Sequence, residues 1–257
     1  MEQETFTPNE VLNLSLYIGK QMLSSNAEIN RVEDTVVRIC KAYLKCNIDV
    51  FSIKSLIIVT LRTDDNEVLT QTRRVYSSGT NLWKLEELNA ISRYVCRNKP
   101  SREEIKSLVE NIRKSEKKSS YMACIGYILS SSAFCVFFGG KSIDAIVCTL
   151  IAIMIYYIDM YLKGFVTNQF IYTILCSIVA GYSAILFVKA GVPIHIDKVI
   201  IGDIMLLIPG ISLVNSVRDM FSGDIMAGLL RLSETIIISS AIALGFSIPL
   251  ISVGGII

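Results

Sequence analysis

The feature that most constrains this chain is the unequal distribution of its charged residues. Nineteen of the 25 Lys and Arg residues and 16 of the 23 Asp and Glu residues precede Ser119, which leaves 13 charges for residues 119–257. No charged residue occurs in the 22 positions from 119 to 140. A helix rises about 1.5 Å per residue, so a stretch of this length can cross a hydrocarbon core of about 30 Å. The sequence therefore predicts a soluble N-terminal part followed by a membrane part.

Apolar stretches in the second part predict an α-helical membrane protein with five transmembrane helices. The basic segment RKSEKK precedes the first stretch, and the positive-inside rule therefore predicts a cytoplasmic N-terminus. An odd number of spans then places the C-terminus on the external side of the plasma membrane. The five predicted spans are about residues 119–140, 143–162, 166–188, 199–217 and 225–250.

Residues 1–118 predict a small cytoplasmic α+β domain. Apolar residues recur at helical spacing before and after the segment SSN at 24–26, which indicates a hairpin of two helices. The runs NIDVFSI, SLIIVTLRT and EVLTQTRRVYS are rich in residues that favour strands and predict a short antiparallel sheet. Two further helices follow, of which the second begins with Ser101 and Glu104 at the spacing of a capping box.

The composition argues against several classes of function. A formal net charge of only +2 gives no whole-chain attraction to nucleic acid. The seven cysteines form no CxxC pair and His195 is the single histidine, so we expect no metal site. The sequence contains no glycine-rich phosphate loop, nucleophile elbow or Ser/His/Asp set. We therefore expect neither a cofactor nor an enzyme activity.

Charged residues within or beside the predicted spans are the main candidates for function, because each costs about 2.5 to 3.5 kcal/mol in hydrocarbon unless it is paired or hydrated. Asp203 lies near the start of the fourth span, and Pro209-Gly210 should interrupt that helix. Arg231 and Glu234 share one face of the next helix and are close enough to pair. The candidates for a substrate or ion path are Asp203, Pro209, Gly210, Asn215, Arg218, Asp219, Asp224, Arg231 and Glu234.

Ordinary solvation is the alternative explanation for several of these polar residues. The charges after Pro209-Gly210 could instead form surface ion pairs in a cytoplasmic loop, and Asp144 could reach the lipid headgroups from one end of the second span. In the N-terminal part, AEINRVED is the densest polar cluster, but ion pairs on a solvated helix face are common and weak. The candidates in this part are Glu28, Arg31, Glu33, Arg74 and Arg93.

Four segments stand out as motifs, namely GKQMLSSNAEINRVEDTV, TRRVYSSGTNLWKLEELNAISR, FFGGKSIDA and PGISLVNSVRDMFSGDIMAGLLRLSE. They resemble the cytoplasmic and membrane signatures of the threonine/serine exporter family, which includes ThrE and YjjP-like proteins. The resemblance extends over nearly the whole chain, and the last motif is the most specific. Asn26 and Ile29 differ from the glycine and threonine that are usual in the first motif.

The resemblance implies a secondary exporter with a cytoplasmic N-terminal domain and five spans. Relatives export threonine and serine or, in a two-subunit type, succinate. Because fused relatives have ten spans, this chain resembles the larger half of a split transporter, which implies a second five-span subunit and leaves room for an oligomer. The candidate residues that match motif positions, without individual roles, are Arg31, Glu33, Asp144, Pro209, Gly210, Asn215, Arg218, Asp219, Gly223, Asp224, Arg231 and Glu234.

The leading hypothesis is a transporter subunit that exports a small polar metabolite, either an amino acid or a dicarboxylate, and is driven by an ion or proton gradient. Arg218 and Arg231 would attract the carboxylate of the substrate. Nearby acids would balance these charges or carry protons, and they are Asp203, Asp219, Asp224 and Glu234. The alternative is a membrane-anchored sensor or assembly protein whose cytoplasmic domain binds a ligand. Either protein contacts the lipid membrane, and neither is expected to bind nucleic acid.

Overall fold

The chain folds into two compact units. The computed structural model describes residues 6–76, 79–115, 120–162, 166 and 168–253. Unit 1 comprises Met1–Lys118 and Ile211–Ser233, and unit 2 comprises Ser119–Gly210 and Glu234–Ile257. Unit 1 thus includes residues 211–233, a segment that the sequence pattern assigns to the membrane part.

The first part of the chain contains two helices, three consecutive strands and two further helices, and the regular elements that follow are all helices. The first elements are α1 (Pro8–Ser24), α2 (Ile29–Tyr43), β1 (Cys46–Ile53), β2 (Leu56–Thr63), β3 (Val68–Arg74), α3 (Leu82–Asn98) and α4 (Arg102–Ser115). The later elements are α5 (Ser120–Phe137), α6 (Ser142–Leu162), α7 (Gln169–Lys189), α8 (Ile196–Leu207), α9 (Gly210–Phe221) and α10 (Ile225–Val253).

α1 and α2 form the helix hairpin expected from the sequence. α1 begins with a capping box, in which Thr7 Oγ1 accepts a hydrogen bond from the Glu10 N–H and the Glu10 carboxylate accepts one from the Thr7 N–H. Gly19 lets the two helices approach closely, because a Cβ atom there would lie 2.9 Å from Cγ2 of Val36. The hairpin therefore depends on a small residue at the point of contact.

The three predicted strands form one antiparallel sheet in the order β1-β2-β3, which confirms the predicted sheet. In the central strand, the side chains of Ile57, Val59 and Leu61 are buried and alternate with more accessible ones, as the two-residue period of a strand requires. Val32 of α2 and Leu88 of α3 are fully buried in the same core as Ile57. The core of unit 1 therefore lies between the sheet and its helices.

α9 and the first turns of α10 complete unit 1. Gly223, whose φ is +100°, forms the turn between these helices. Gly228 allows α10 to pack directly on α9, because a Cβ atom there would lie 2.5 Å from Cγ of Met220 and 2.7 Å from the carbonyl oxygen of Ser216. Ala227 belongs to the same apolar core as Leu16 of α1. The start of α10 is thus an integral part of unit 1.

Unit 2 consists of α5 to α8 and the remainder of α10. Its helices approach closely at small residues, which is typical of packing between membrane helices. A Cβ atom at Gly202 would lie 2.8 Å from the carbonyl oxygen of Ser131, and one at Gly245 would lie 2.4 Å from Cβ of Ser177. Core residues of this unit include Cys135, Val147, Cys148, Ile151, Ala180, Val199 and Phe246.

Three helices of the described residues, α6, α7 and α10, are long and apolar enough to cross a membrane. α8 and α9 pass the same test as a pair interrupted by a short break, and the number rises to four if this pair forms one broken span rather than a re-entrant loop. The apolar helix Tyr121–Phe137 within α5 is shorter than the predicted span 119–140. Length and composition therefore support three or four of the five predicted spans.

The helix break predicted at Pro209-Gly210 is present. α8 ends at Leu207 and α9 begins at Gly210, so the predicted span 199–217 is not one continuous helix. Ile208 is extended, with ψ of 126°, as steric contact with the next proline favours. Pro209 has no N–H with which to continue the helix.

Candidate functional site

The first candidate site, which lies within unit 1, is the turn between α1 and α2 together with the parts of α9 and α10 that contact it. Asn26 in this turn has φ of 68°, in the left-handed region that few residues other than glycine, asparagine and aspartate adopt. Asparagine is therefore a physically compatible replacement for the glycine that is usual in the motif.

Two residues of α9 bind the main chain of this turn. Nδ2 of Asn215 donates a hydrogen bond to the carbonyl oxygen of Asn26 at 3.0 Å, and Oδ1 of Asp219 accepts one from the N–H of Ile29 at 3.1 Å. Glu28, at the N-cap of α2, makes no capping hydrogen bond with its side chain. Asp219 thus supplies the cap from another helix and places a negative charge at the positive end of α2.

Arg231 of α10 binds both the turn and α9. Its Nη2 donates to the carbonyl oxygen of Ala27 at 3.0 Å, and its Nε lies 3.4 Å from Oδ2 of Asp219. The side chains of Arg231 and Asp219 are each 1% exposed. Arg218 lies farther out, where it pairs with Glu28 and is 57% exposed. A buried ion pair therefore connects the turn, α9 and α10.

The side chain of Asn26 adds two further contacts to the turn. Its Nδ2 donates to Oγ1 of Thr80, in the segment before α3, and to Oγ of Ser212 on α9, each at 3.1 Å. The hydrogen bonds span 54 and 186 residues of sequence. Asn26 thus joins three distant segments of unit 1 as well as forming the turn.

α9 directs its polar side chains towards the protein. Asn215, Ser216 and Asp219 are buried, whereas Val214 and Phe221 are 56% and 89% exposed. A surface helix of a soluble protein has the opposite arrangement, with its apolar stripe facing the core. The outward apolar face of α9 is suited to contact with lipid.

Glu33 and Asp224 are two acids of unit 1 with perturbed titration. Burial raises the pKa of Glu33 although Ser52 opposes this shift by donating from its N–H at 2.7 Å and its Oγ at 2.9 Å, and the charge of Asp224 raises it further. Burial also raises the pKa of Asp224, which lies in the turn between α9 and α10. Within the part of the chain that the structure describes, Oδ2 of Asp224 has no hydrogen-bond partner.

Asp203 of α8 forms the second candidate site, which lies within unit 2. Its side chain is fully buried, and Oδ1 accepts a hydrogen bond from Oγ of Ser131 on α5 at 2.7 Å. Among the described residues, Oδ2 of Asp203 has no hydrogen-bond partner. A carboxylate in this state retains an acceptor that can bind a cation or a proton.

Asp144 is fully buried and uses both of its oxygens within the protein. Oδ2 accepts a hydrogen bond from the N–H of Lys141 at 2.7 Å, and Oδ1 accepts one from the N–H of His195 at 2.7 Å. Nδ1 of His195 lies 3.0 Å from Oδ2. Asp144 thus joins the start of α6 to the start of α8, which is a structural arrangement and not an open site.

The remaining candidates are not among the residues that define these two sites. Glu234 is in the portion of α10 that belongs to unit 2. Arg74 is at the end of β3, with its guanidinium carbon 5.3 Å from the centre of the Tyr76 ring. Arg31 and Arg93 line a cavity in unit 1. Pro209 and Gly210 form the helix break described above, and no group of His, Cys, Asp or Glu in the described residues is arranged to hold a metal ion.

Several residues that complete the two sites had no signal in the sequence. Ser131, Thr80 and Ser212 are short hydroxyl side chains in segments where packing or solvation explains them equally well. Their partners are far away in the sequence, so no spacing rule connects them. The ion pair of Arg231 with Asp219 has no signal in the sequence either, because the two residues lie on different helices and no spacing rule connects them.

Comparison with known proteins agrees with the resemblance of the four motifs. The model of the ThrE family, described as "Putative threonine/serine exporter", matches residues 13–251. The match includes every residue of the two candidate sites. No curated protein and no solved structure gives a significant match.

Proposed function

The chain belongs to the ThrE family of threonine/serine exporters, and on this premise we propose that it exports an amino acid of the threonine/serine type from the cytoplasm. Family membership and the apolar helices make it a multi-pass membrane transporter. The buried carboxylate of Asp203 is the observation that supports this choice of substrate and the coupling of transport to a cation. It is fully buried in the membrane unit, and Oδ2 has no hydrogen-bond partner among the described residues.

Asp203 would couple transport to a proton or another cation. An ionised carboxylate is costly in a membrane interior, so a buried one is retained where it binds a charge that moves. Oγ of Ser131 holds Oδ1 at 2.7 Å and leaves Oδ2 available for this purpose. Asp203 therefore takes the role of proton or cation carrier in this proposal.

The same carboxylate favours an amino acid over a dicarboxylate as the substrate. The ammonium group of threonine or serine is attracted by a negative charge, whereas succinate carries two carboxylates that Asp203 would repel. A dicarboxylate would be admitted only after Asp203 is protonated. Threonine and serine are therefore the first substrates to test.

In this proposal the ion pair of Arg231 and Asp219 holds α9 and α10 together and does not bind the substrate. We refer to this pair as the holding contact. The guanidinium group of Arg231 already binds Ala27 and Asp219, so a substrate carboxylate would have to displace them. Arg218 is a better first contact for the substrate, because it is 57% exposed and its pair with Glu28 can exchange.

α10 is long enough to contain both a membrane span and a segment that belongs to unit 1. This helix has 29 residues, and its last 20, residues 234–253, are about the number needed to cross a bilayer. Residues 225–233 can then remain with unit 1 at the membrane surface. This surface is the cytoplasmic one if the basic segment before α5 sets the orientation.

α5 would supply the fifth span of this chain. A second five-span subunit would complete the exporter, as in the split transporters that the motifs resemble.

Counterflow in liposomes tests this proposal. The purified chain, alone and with a co-expressed five-span subunit of the same family, is reconstituted, and the uptake of radiolabelled threonine, serine and succinate is measured at several pH values. We expect uptake of threonine and serine, and we expect Asp203→Asn to lose most of it because an amide neither carries a proton nor binds an ammonium group as strongly.

Asp197→Asn is the matched control, since Asp197 is on the same helix but 62% exposed at its side chain. This variant should transport as well as the unmodified chain. Uptake of succinate alone, or unchanged uptake in Asp203→Asn, would overturn the proposal. No uptake of any of the three solutes would favour the alternative of a membrane-anchored sensor.

A further inference from the structure

A cavity of about 370 Å³ in unit 1 lies between α2 and α3 and is lined by four arginines. Arg31 and Arg38 come from α2, and Arg93 and Arg97 come from α3. One acid, Asp34, also lines the cavity. The walls therefore carry an excess of positive charge, and the transport proposal does not use this cavity.

Helical spacing explains why the arginines meet here. On α2, Arg31, Asp34 and Arg38 are three and four residues apart and share one face. On α3, Arg93 and Arg97 are four residues apart and share a face as well. The opposite faces of both helices are fixed in the core, where Val36 and Val95 are fully buried. The positions of the arginine Cα atoms are thus set by the fold before any ligand binds.

Only one of the four guanidinium groups has an acidic partner in the described part of the chain. Nε of Arg38 lies 2.8 Å from Oδ2 of Asp34. No ion pair of Arg31, Arg93 or Arg97 is found among the described residues. Arg93 and Arg97 are one helical turn apart, where like charges repel. This repulsion is relieved when an anion enters the cavity.

The shape and chemistry of the cavity limit the class of anion. Its volume is near the lower end of the range for small-molecule pockets, which is about 300–1,000 Å³. Its other lining residues are small or polar, including Thr35, Asn89 and Ser92, and no aromatic side chain is present among them to stack on a nucleobase. A compact anion without an aromatic ring fits these walls best.

A phosphate group can bind more of these guanidinium groups at once than a carboxylate can. Guanidinium groups bind both anions through paired hydrogen bonds. A carboxylate has two oxygens in one plane, whereas a phosphate group presents three acceptor oxygens in different directions. We propose that this cavity binds a small soluble anion that carries phosphate groups, with Arg31, Arg93 and Arg97 holding its oxygens.

Isothermal titration calorimetry on the full chain in nanodiscs of neutral phosphatidylcholine tests this site, with inorganic pyrophosphate as the probe at constant ionic strength. We expect pyrophosphate to bind, and we expect Arg31→Ala/Arg93→Ala to weaken binding by about tenfold or more, as the loss of charge-assisted hydrogen bonds implies. Arg31→Lys/Arg93→Lys keeps the charges but loses the paired donors. Its affinity for pyrophosphate should therefore lie between that of the unmodified chain and that of Arg31→Ala/Arg93→Ala.

Arg62→Ala is the matched control, because Arg62 is an exposed arginine of β2 outside the cavity. It should bind pyrophosphate like the unmodified chain. Equal binding in Arg31→Ala/Arg93→Ala, or succinate binding as tightly as pyrophosphate, would overturn the proposal.

Lipid phosphate is the other source of the same chemistry, and nanodiscs that contain phosphatidic acid distinguish it. If the soluble anion is the ligand, phosphatidic acid should leave the affinity for pyrophosphate nearly unchanged. If phosphatidic acid abolishes pyrophosphate binding, the cavity takes a lipid headgroup and the assignment to a soluble anion is wrong.

Discussion

Nε of Arg231 lies 3.4 Å from Oδ2 of Asp219, and the two side chains are each 1% exposed. Arg231 also binds the carbonyl oxygen of Ala27, and Asp219 also binds the N–H of Ile29. Each partner therefore neutralises the other and at the same time satisfies a main-chain group of the α1–α2 turn. Removing one partner would leave a buried charge without this compensation.

We expect Arg231→Met to destabilise the protein by about 3–5 kcal/mol, the usual cost of breaking a buried pair. Thermal unfolding of the full chain in detergent measures this change. Arg231→Met/Asp219→Asn should recover most of the loss, because the asparagine side chain is neutral and its Oδ1 can still accept the hydrogen bond from Ile29. If the two substitutions destabilise additively, the side chains are not coupled and the proposed holding contact is wrong.

Asn26 should tolerate replacement by glycine better than by alanine. Both substitutions remove the hydrogen bonds to Thr80 and Ser212, but only alanine must adopt a φ near 68° with a Cβ atom. The left-handed conformation costs about 1–2 kcal/mol for such a residue, so Asn26→Ala should be less stable than Asn26→Gly by roughly this amount. Comparison of the two melting temperatures checks the prediction, and equal values would contradict it.

The sequence predicted the elements of this protein better than the contacts among them. Period and composition predicted the helix hairpin, the three strands and the break at Pro209, because these features depend on neighbouring residues. The assembly of the site depends on residues such as Asn26 and Asn215, whose hydrogen bond spans 189 positions. No local pattern encodes such a contact.

The distribution of charge along the sequence does not predict that the polar segment 211–233 belongs to unit 1. In the sequence, Asp219 and Arg231 stand out because charged residues are costly in lipid. The sequence does not show that α9 turns its polar side inward, because the burial of Asp219 is created by the α1–α2 turn. α9 is apolar enough to form a broken span together with α8, and its residues from Ile211 belong to unit 1.

Asp224 should make the stability of the protein depend on pH. Burial raises its pKa above the ordinary value of 3.8, so the folded protein holds this proton more tightly than the unfolded chain does. The carboxyl group of Asp224 therefore lowers the free energy of unfolding as the pH rises from 3.8 through its raised pKa. Above that pKa the stability no longer falls. Asp224→Asn removes this effect, so we expect the variant to melt at a higher temperature than the unmodified chain at pH 7.

Melting curves from pH 4 to pH 8 check the expected dependence. The advantage of Asp224→Asn should shrink as the pH falls towards pH 4, because the folded state of the unmodified chain binds the proton of Asp224 more readily than the unfolded chain does. Asp65→Asn, which changes an exposed acid in the turn between β2 and β3, serves as the control and should show no comparable advantage at pH 7. An advantage of Asp224→Asn that does not vary with pH would contradict the assignment to this carboxyl group.

Gly228 should be essential for the packing of α10 on α9, and alanine tests this directly. A Cβ atom at this position would lie 2.5 Å from Cγ of Met220, 2.7 Å from the carbonyl oxygen of Ser216 and 3.1 Å from the main-chain nitrogen of Met220. Met220 can move its side chain, but the main-chain atoms cannot yield without separating the helices. We therefore expect Gly228→Ala to destabilise the protein by about 1–3 kcal/mol, the usual cost of overpacking.

Gly126→Ala provides the matched control for Gly228→Ala. Gly126 is also within a helix, but a Cβ atom there would meet no other atom within 4 Å. Alanine has the higher helix propensity, so Gly126→Ala should leave the free energy of unfolding unchanged or raise it by at most about 1 kcal/mol. The melting temperature should therefore stay the same or rise slightly. If Gly228→Ala behaves like Gly126→Ala, then α9 and α10 are not in close contact at Ser216, and the buried position of Arg231 would lose its structural basis.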